Sequence, residues 1–217
     1  HRAKRAIRET GHAVIVEGQM DVVVSHQHGF VQTVATSGTS VSPDHLRILY
    51  RLAPEVRLAF DQDDAGTRAL HQAARLALRQ EFVVKVIVIP AGKDAADALL
   101  HDSKAWKQAV ESAPLFLDHL FDLTFQAEGG THGAQEKKKI AKTLIGWIQV
   151  IADPVERDHY REQLARRLGT SSAEIEEALK RISYPVAVET RPERPGLSLE
   201  QQFIGLMVAH PALIGRA

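Results

Sequence analysis

Hydrophobic residues in the first hundred positions form short runs separated by longer amphipathic stretches. The runs have the length of buried strands, whereas the stretches carry apolar residues at helical spacing. We predict strands at residues 13–16, 31–35, 56–60 and 83–89. We predict helices at residues 20–28, 43–52, 65–79 and 95–100. This alternation predicts an α/β fold with a mainly parallel sheet that is flanked by helices on both faces.

Local signals define the ends of several helices. Ser42 is a suitable N-cap and is followed by Pro43 at the first helical position. Gly29 is a suitable stop for the helix that begins near residue 20. Further along the chain, Ser171 and Glu174 have the spacing of a capping box.

The pattern changes after Pro114, because the strand-like runs stop and helical periodicity continues. We therefore expect an α/β domain at 1–113 followed by an all-α helical subdomain at 114–183. Residues 184–196 are rich in proline and charge, which predicts a linker. Residues 197–217 are amphipathic again, and we expect them to begin another domain. Since the sequence opens without methionine, we expect the chain to be a fragment of a longer polypeptide.

Composition narrows the class of protein. The 217 residues include 27 Lys+Arg and 27 Asp+Glu, so binding to nucleic acid would need a local basic patch. There is no cysteine, which excludes disulfides and thiolate zinc sites and suits a cytosolic protein. No apolar run approaches the roughly 18 residues of a membrane span.

Acidic residues follow three of the predicted strands. Glu17 follows the first strand, Asp61, Asp63 and Asp64 follow the third, and Asp94 and Asp97 follow the fourth. The carboxyl ends of parallel strands lie at one edge of the sheet, where ligands bind in open α/β folds. These carboxylates would repel one another unless a cation neutralised them. A site built from oxygen ligands suits Mg²⁺ or Mn²⁺, and a pair of such ions catalyses phosphoryl transfer. Alternatively, Asp63 or Asp64 simply caps the following helix.

Four motifs together carry a family resemblance. They are VEGQMD, ATSGTSVSPDHLRIL, FDQDDAG and PAGKDAADALL, in this order. In sequence and spacing they resemble the TOPRIM domain of bacterial replicative primases of the DnaG type. The resemblance covers residues 1–183 and implies a TOPRIM-type sheet followed by the helical subdomain. The tail at 197–217 resembles the start of the primase domain that docks on the replicative helicase.

The resemblance implies individual roles for the acidic residues. Glu17 would hold the first metal ion and assist proton transfer, Asp61 would be shared between two ions, and Asp63 would belong to the second. Asp21 and Asp94 lie where the family has further acids near the same edge, and we include both among the metal ligands.

The sequence departs from the family pattern at several positions. Gln62 stands where the family usually has glycine, a change that we expect to alter only the turn. The last acid is at position 97, whereas the family pattern leads to position 96, so Asp97 is either a ligand or a cap of the next helix. Asp64 has no assigned role.

The resemblance also implies a reaction and its components. The 3′-hydroxyl of a growing RNA primer would attack the α-phosphate of a ribonucleoside triphosphate on a single-stranded DNA template. The implied cofactor is Mg²⁺, for which Mn²⁺ can substitute. The implied partners are the DNA template, ribonucleoside triphosphates, the RNA primer and the replicative helicase, which is contacted through a C-terminal domain. The implied location is the bacterial cytoplasm, at the replication fork and not in a membrane.

Two other functions use the same residues. A TOPRIM nuclease would use the metal ions to activate water, and a recombination-type DNA-binding module would use the fold without turnover. A topoisomerase is disfavoured, because Tyr50, Tyr160 and Tyr184 are the available tyrosines and none has an evident nucleophile setting.

Other segments that could bind a ligand also have a purely structural explanation. Residues 37–40 (SGTS) would offer backbone N–H groups to a phosphate or form a plain turn. The basic residues Arg2, Lys4, Arg5 and Arg8 lie on a further predicted helix and would contact either nucleic acid or only solvent. His26 and His28 are more typical of a helix end than of a metal site. The segment around Gly169 mimics a helix-turn-helix, but the glutamates of its second helix disfavour phosphate binding.

Overall fold

The computed structural model describes residues 2–36, 40–129 and 133–181. The described part contains four strands: β1 (His12–Val16), β2 (Thr33–Ala35), β3 (Glu55–Ala59) and β4 (Val83–Val86). The helices that alternate with these strands are α1 (Ala3–Thr10), α2 (Gln19–Gln27), α3 (Pro43–Tyr50), α4 (Asp64–Arg79), α5 (Ala95–His101) and α6 (Ser103–Glu111). Four further helices follow: α7 (Phe116–Ala127), α8 (Ala134–Ile148), α9 (Pro154–Leu168) and α10 (Ser172–Arg181).

The strands form one parallel sheet in the order β2-β1-β3-β4. Val14 pairs with Thr33 on one side and with Arg57 on the other, so β1 lies inside the sheet. All five residues of β1 are buried, as expected for a strand that is covered on both faces. The predicted parallel α/β architecture is therefore confirmed.

Each face of the sheet has its own apolar core. Ala13 and Ile15 belong to the core that contains α1, α3, α4 and the helices α7 to α9. Val14 and Val16 point to the opposite core, where α2, α5 and α6 pack. The alternation along β1 follows from the two-residue period of a strand.

The helical region shares the first core with the sheet. Trp147 of α8 packs against Phe116 of α7 and His71 of α4, with ring centroids 5.0 and 5.2 Å apart. The guanidinium of Arg75 lies 3.9 Å from the centre of the Trp147 ring and donates a hydrogen bond to the carbonyl of Gly146. Burial in this cluster lowers the pKa of His71. The sheet and the helices that follow it are thus packed as one compact unit.

Two predicted strands are longer than those observed. The second begins at Thr33 because Val31 and Gln32 form a turn in which the Thr33 N–H bonds to the carbonyl of Phe30. The fourth ends at Val86, although the N–H of Ile87 still bonds to Leu58 of the neighbouring strand.

The cap predictions are confirmed. Ser42 accepts the N–H of His45, and Gly29 has a φ of 89° just after α2. Ser171 and Glu174 exchange the two hydrogen bonds of a capping box, at 2.9 and 3.2 Å.

Some expectations fall on residues that lie outside the described part of the chain. These are the phosphate contact by residues 37–39, the linker at 184–196 and the further domain at 197–217. Within the described ranges, no helix combines the length and apolarity needed to cross a membrane.

Candidate metal centre

Three loops meet at the carboxyl edge of the sheet. The first loop (17–18) follows β1, the second loop (60–63) follows β3, and the third loop (87–94) follows β4. Since β1, β3 and β4 are adjacent and parallel, all three loops leave the sheet on the same side. The predicted convergence of acidic residues therefore occurs at this edge.

The first and second loops are joined directly. Oε1 of Glu17 accepts a hydrogen bond of 3.1 Å from the backbone N–H of Asp61. The side chain that follows β1 is thereby fixed against the loop that follows β3. The other carboxylate oxygen of Glu17 takes no part in this bond.

Asp21 joins the first loop to the third. It lies in the first turn of α2 and is buried, with 6% of its surface exposed. Oδ2 accepts the N–H of Gly18 at 3.0 Å, and Oδ1 accepts the N–H of Ala96 at 3.0 Å. Because both oxygens bind backbone groups, Asp21 holds the start of α5 next to Glu17.

Gln62 joins the second loop to the third. Its side-chain Nε2 donates to the carbonyl of Ile89 at 3.0 Å. Its backbone N–H donates to the carbonyl of Lys93 at 3.2 Å. Together with the Glu17–Asp61 and Asp21–Ala96 bonds, these contacts link the three loops pairwise.

Asp63 and Asp94 are both helix N-caps. Asp63 caps α4 by accepting the N–H of Gly66 at 2.6 Å, so the capping alternative for Asp63 is correct in the structure. Asp94 caps α5 by accepting the N–H of Asp97 at 2.8 Å. Each bond uses Oδ1, and a carboxylate has further lone pairs that can bind a cation.

The capping alternative for Asp97 is wrong, because Asp94 occupies the cap position of α5. Asp97 lies in the first turn of this helix instead. Its Oδ2 accepts a long hydrogen bond of 3.5 Å from the N–H of Lys93. Asp64, the first residue of α4, is exposed.

Burial and the neighbouring carboxylates raise the pKa of Asp61 to about 6. Burial is the largest cause, and the charges of Glu17, Asp21, Asp94 and Asp63 add to it. The pKa of Asp21 is also raised, mainly by burial, although its two backbone hydrogen bonds oppose the shift. The cluster thus concentrates negative charge that an added cation would relieve.

Gly66 permits the close approach of α4 to this cluster, and the sequence prediction missed it. A Cβ atom at this position would collide with the carbonyl of Asp61 and would lie 2.8 Å from Oε1 of Glu17. The signal was present in the sequence as a glycine three residues after Asp63, inside a predicted helix.

The donor set fits a hard cation that is only partly coordinated by the protein. Within the described ranges, no three His, Asp or Glu side chains are arranged to hold a metal ion by themselves. Mg²⁺ in phosphoryl-transfer sites is typically bound by one or two carboxylates together with phosphates and water. Glu17, Asp61, Asp63 and Asp94 provide carboxylates of this kind at one edge of the sheet.

The other candidate residues lie in ordinary structural settings. The basic residues near the start belong to α1, where Arg5 pairs with Glu9 at 2.7 Å. The rings of His26 and His28 contact the carbonyls of Thr33 and Val24, as expected for residues at a helix end.

Comparison with known families gives two matches along the chain. Residues 14–99, which include Glu17, Asp61 and Asp94, match a family described as Toprim-like. Residues 123–173 match the family of the DnaB-helicase binding domain of primase. The second match lies within the predicted helical subdomain at 114–183, whereas the resemblance placed the helicase-docking domain at 197–217. The chain belongs to the bacterial DnaG-type primase family.

Individual DnaG-type proteins agree with this assignment. A DNA primase of Halalkalibacterium halodurans is 31% identical over 192 residues, which cover 88% of this chain and 31% of the relative. The chain thus spans under a third of that relative's length. A DNA primase domain from Pseudomonas aeruginosa has the same fold, with a TM-score of 0.73, 24% identity and coverage of 82% of this chain and 57% of the other.

One of the solved neighbours that carry DNA is bound to a single strand. It is a DnaG primase catalytic domain bound to single-stranded DNA, with a TM-score of 0.65 and 26% identity. The match covers 79% of this chain and 56% of that domain. The relatives therefore favour the primase interpretation over the nuclease and recombination alternatives.

Proposed function

We propose that this chain is the metal-binding portion of a DnaG-type primase, which synthesises short RNA primers on single-stranded DNA. The observation that carries the proposal is the meeting of Glu17, Asp61 and Asp63 at one sheet edge in a chain of this family. The proposal extends to the whole protein, of which this chain would be one part.

In this proposal Glu17, Asp61, Asp63 and Asp94 provide oxygen ligands for Mg²⁺, with Mn²⁺ as a substitute. Asp21, which the resemblance includes among the ligands, supports the site instead, because both of its oxygens accept backbone N–H groups. When bound, the metal ions would stabilise the negative charge that develops on the phosphates during nucleotidyl transfer. The protein contributes positioning rather than covalent chemistry. The hydrogen bond from the backbone N–H of Asp61 to Glu17 supports this role, because it fixes the Glu17 carboxylate against the loop that carries Asp61.

The neutralisation of negative charge is the main physical argument for a metal at this edge. Asp61 has a pKa of about 6 because burial and four neighbouring carboxylates oppose its ionisation. A divalent cation would convert this repulsion into attraction and favour the ionised form. Glu17 carries an oxygen that is free of the Asp61 bond, and in the proposal it also assists proton transfer from the attacking hydroxyl.

The proposed substrates are ribonucleoside triphosphates, an RNA primer and a single-stranded DNA template. The single-stranded DNA in the related catalytic domain supports the template. The match of residues 123–173 to a helicase-binding family supports the replicative helicase as a partner. This match lies on α7 to α10, whereas the resemblance implied a helicase contact through the domain that begins at 197–217. The proposed location is the bacterial cytoplasm at the replication fork.

Primer synthesis by the full-length protein tests the proposal. On a single-stranded template with ribonucleotides and Mg²⁺, the parent should form short RNA, and Glu17→Gln and Asp63→Asn should reduce its rate by at least 100-fold. Asp64→Asn is the matched control and should retain activity. Template cleavage in Mn²⁺ without RNA synthesis would instead identify a nuclease.

A further inference from the structure

Gln62 makes a side-chain contact that the glycine of the family pattern could not make, in addition to a backbone contact. It lies between the two candidate ligands Asp61 and Asp63, where glycine is usual in the family. Its amide Nε2 donates to the carbonyl of Ile89 and its backbone N–H donates to the carbonyl of Lys93. Glycine would keep only the backbone bond, so the bond to Ile89 depends on this side chain.

The two bonds hold the third loop at both ends of its exposed part. Ile89 has only 5% of its surface exposed and belongs to the core that contains Val14 and Val16. Its carbonyl is therefore a fixed point for the Gln62 amide. Lys93 is exposed and directly precedes Asp94. Between these points, Gly92 has a φ of 79°, a conformation that side-chain-bearing residues rarely adopt.

Asp21 holds the chain just beyond the third loop, because its Oδ1 accepts a hydrogen bond from the N–H of Ala96. Asp94 thus lies between a bond to the second loop, made by Gln62, and a bond to the first turn of α2, made by Asp21. The distance of Asp94 from Asp61 depends on both bonds. Of these two side chains, only that of Gln62 can be replaced without removing a buried charge.

We propose that Gln62 is a positioning residue: its side chain anchors the second loop on the buried Ile89, and its backbone N–H then holds Lys93, and with it Asp94, close to Asp61 and Asp63. The part of this inference that concerns metal ions rests on the proposed function. The part that concerns the loop itself does not, because it follows from contacts between protein groups. Gln62 acts through Asp94 and needs no contact of its own with substrate.

Amide hydrogen exchange and Mn²⁺ binding test the two parts separately. Gln62→Met removes the amide at nearly the same length, and Gln62→Gly introduces the residue usual in the family. Gln126→Met, an exposed substitution on α7, is the control. Exchange is measured without metal at the amides of residues 91–97, and Mn²⁺ affinity is measured by electron paramagnetic resonance of the free ion. A thermal unfolding curve verifies that each variant is folded.

Both Gln62 variants should speed exchange in the third loop about fivefold, the factor expected for one net hydrogen bond. They should weaken Mn²⁺ binding by a similar factor and lower the unfolding midpoint by only the few degrees expected for one hydrogen bond, while the control stays unchanged. Unchanged exchange would overturn the inference. Faster exchange with unchanged Mn²⁺ affinity would overturn the positioning role. If the parent bound no Mn²⁺, the proposed function would fail, and exchange alone would decide whether Gln62 holds the loop.

Discussion

The backbone N–H of Asp61 donates to Oε1 of Glu17 across two neighbouring parallel strands. This single bond joins residues that are 44 positions apart in the sequence. It is possible because the register pairs Val16 with Ala59, so that β1 and β3 end at the same level. The two loops that carry candidate ligands therefore begin side by side.

Asp61→Asn should stabilise the metal-free protein at neutral pH. The folded-state pKa of about 6 exceeds the ordinary value, so ionised Asp61 opposes folding above pH 6. This unfavourable contribution fades as the pH falls from 6 towards 4. The variant should melt about 2–4 °C above the parent at pH 7, and the difference should shrink at pH 4.5.

Exposed Asp64→Asn on the same segment is the control for the removal of charge. It should change the melting temperature less than Asp61→Asn at pH 7. A lower melting temperature for Asp61→Asn than for the parent at pH 7 would contradict the electrostatic account.

Asp21→Asn should destabilise the protein, although it preserves the size of the side chain. Both Asp21 oxygens accept backbone N–H groups, whereas asparagine offers one oxygen and one NH₂ group. One donor would then face another donor in a buried site, at a cost of about 1–3 kcal/mol. Urea denaturation measures this loss. Asp44→Asn, at an exposed ion pair with Arg47, should cost less than about 1 kcal/mol.

Gly66→Ala should be more damaging than an ordinary glycine substitution in a helix. Alanine normally favours a helix over glycine by up to about 1 kcal/mol. Here its Cβ would collide with the Asp61 carbonyl, and relief of the clash should cost about 1–3 kcal/mol. Thermal unfolding should therefore show a lower midpoint. A raised midpoint would contradict the close approach, and exposed Thr67→Ala is the neighbouring control.

The helical region and the sheet should unfold together. Arg75 of α4 donates to the Gly146 carbonyl and stacks on Trp147 of α8, so the two parts share a core. Far-ultraviolet circular dichroism and tryptophan fluorescence should give coincident urea transitions. Arg75→Met should shift both transitions by about 1–2 kcal/mol. Two separated transitions in the parent protein would contradict a shared core.

The sequence pattern was sufficient for the presence of the four strands, for the bounds of α2 to α5 within one or two residues, and for the edge at which the acids meet. Strand periodicity and the rule for parallel sheets placed Glu17 and Asp61 together without knowledge of their contact. Other features depend on distances that periodicity does not encode. The bond from Asp21 to Ala96 spans 75 positions, and the space for a Cβ at Gly66 depends on how α4 packs.

Short-range competition also limited the predictions. Asp97 was predicted to be either a ligand or the cap of α5, and the capping role of Asp94 was not predicted. In the structure the N-cap of α5 is Asp94, whose side chain accepts the N–H of Asp97. Gln62 was predicted to alter only the turn. Neighbouring residues in the sequence do not reveal a hydrogen-bond partner such as Ile89, which is 27 positions away.

Mn²⁺ binding to this chain tests the central claim most directly. Electron paramagnetic resonance of the free ion should be compared for the parent, Glu17→Gln, Asp61→Asn and the control Asp64→Asn. We predict that the parent and the control bind Mn²⁺ and that Glu17→Gln and Asp61→Asn each weaken binding about tenfold or more. Binding that survives both substitutions unchanged would place the metal elsewhere and contradict the account.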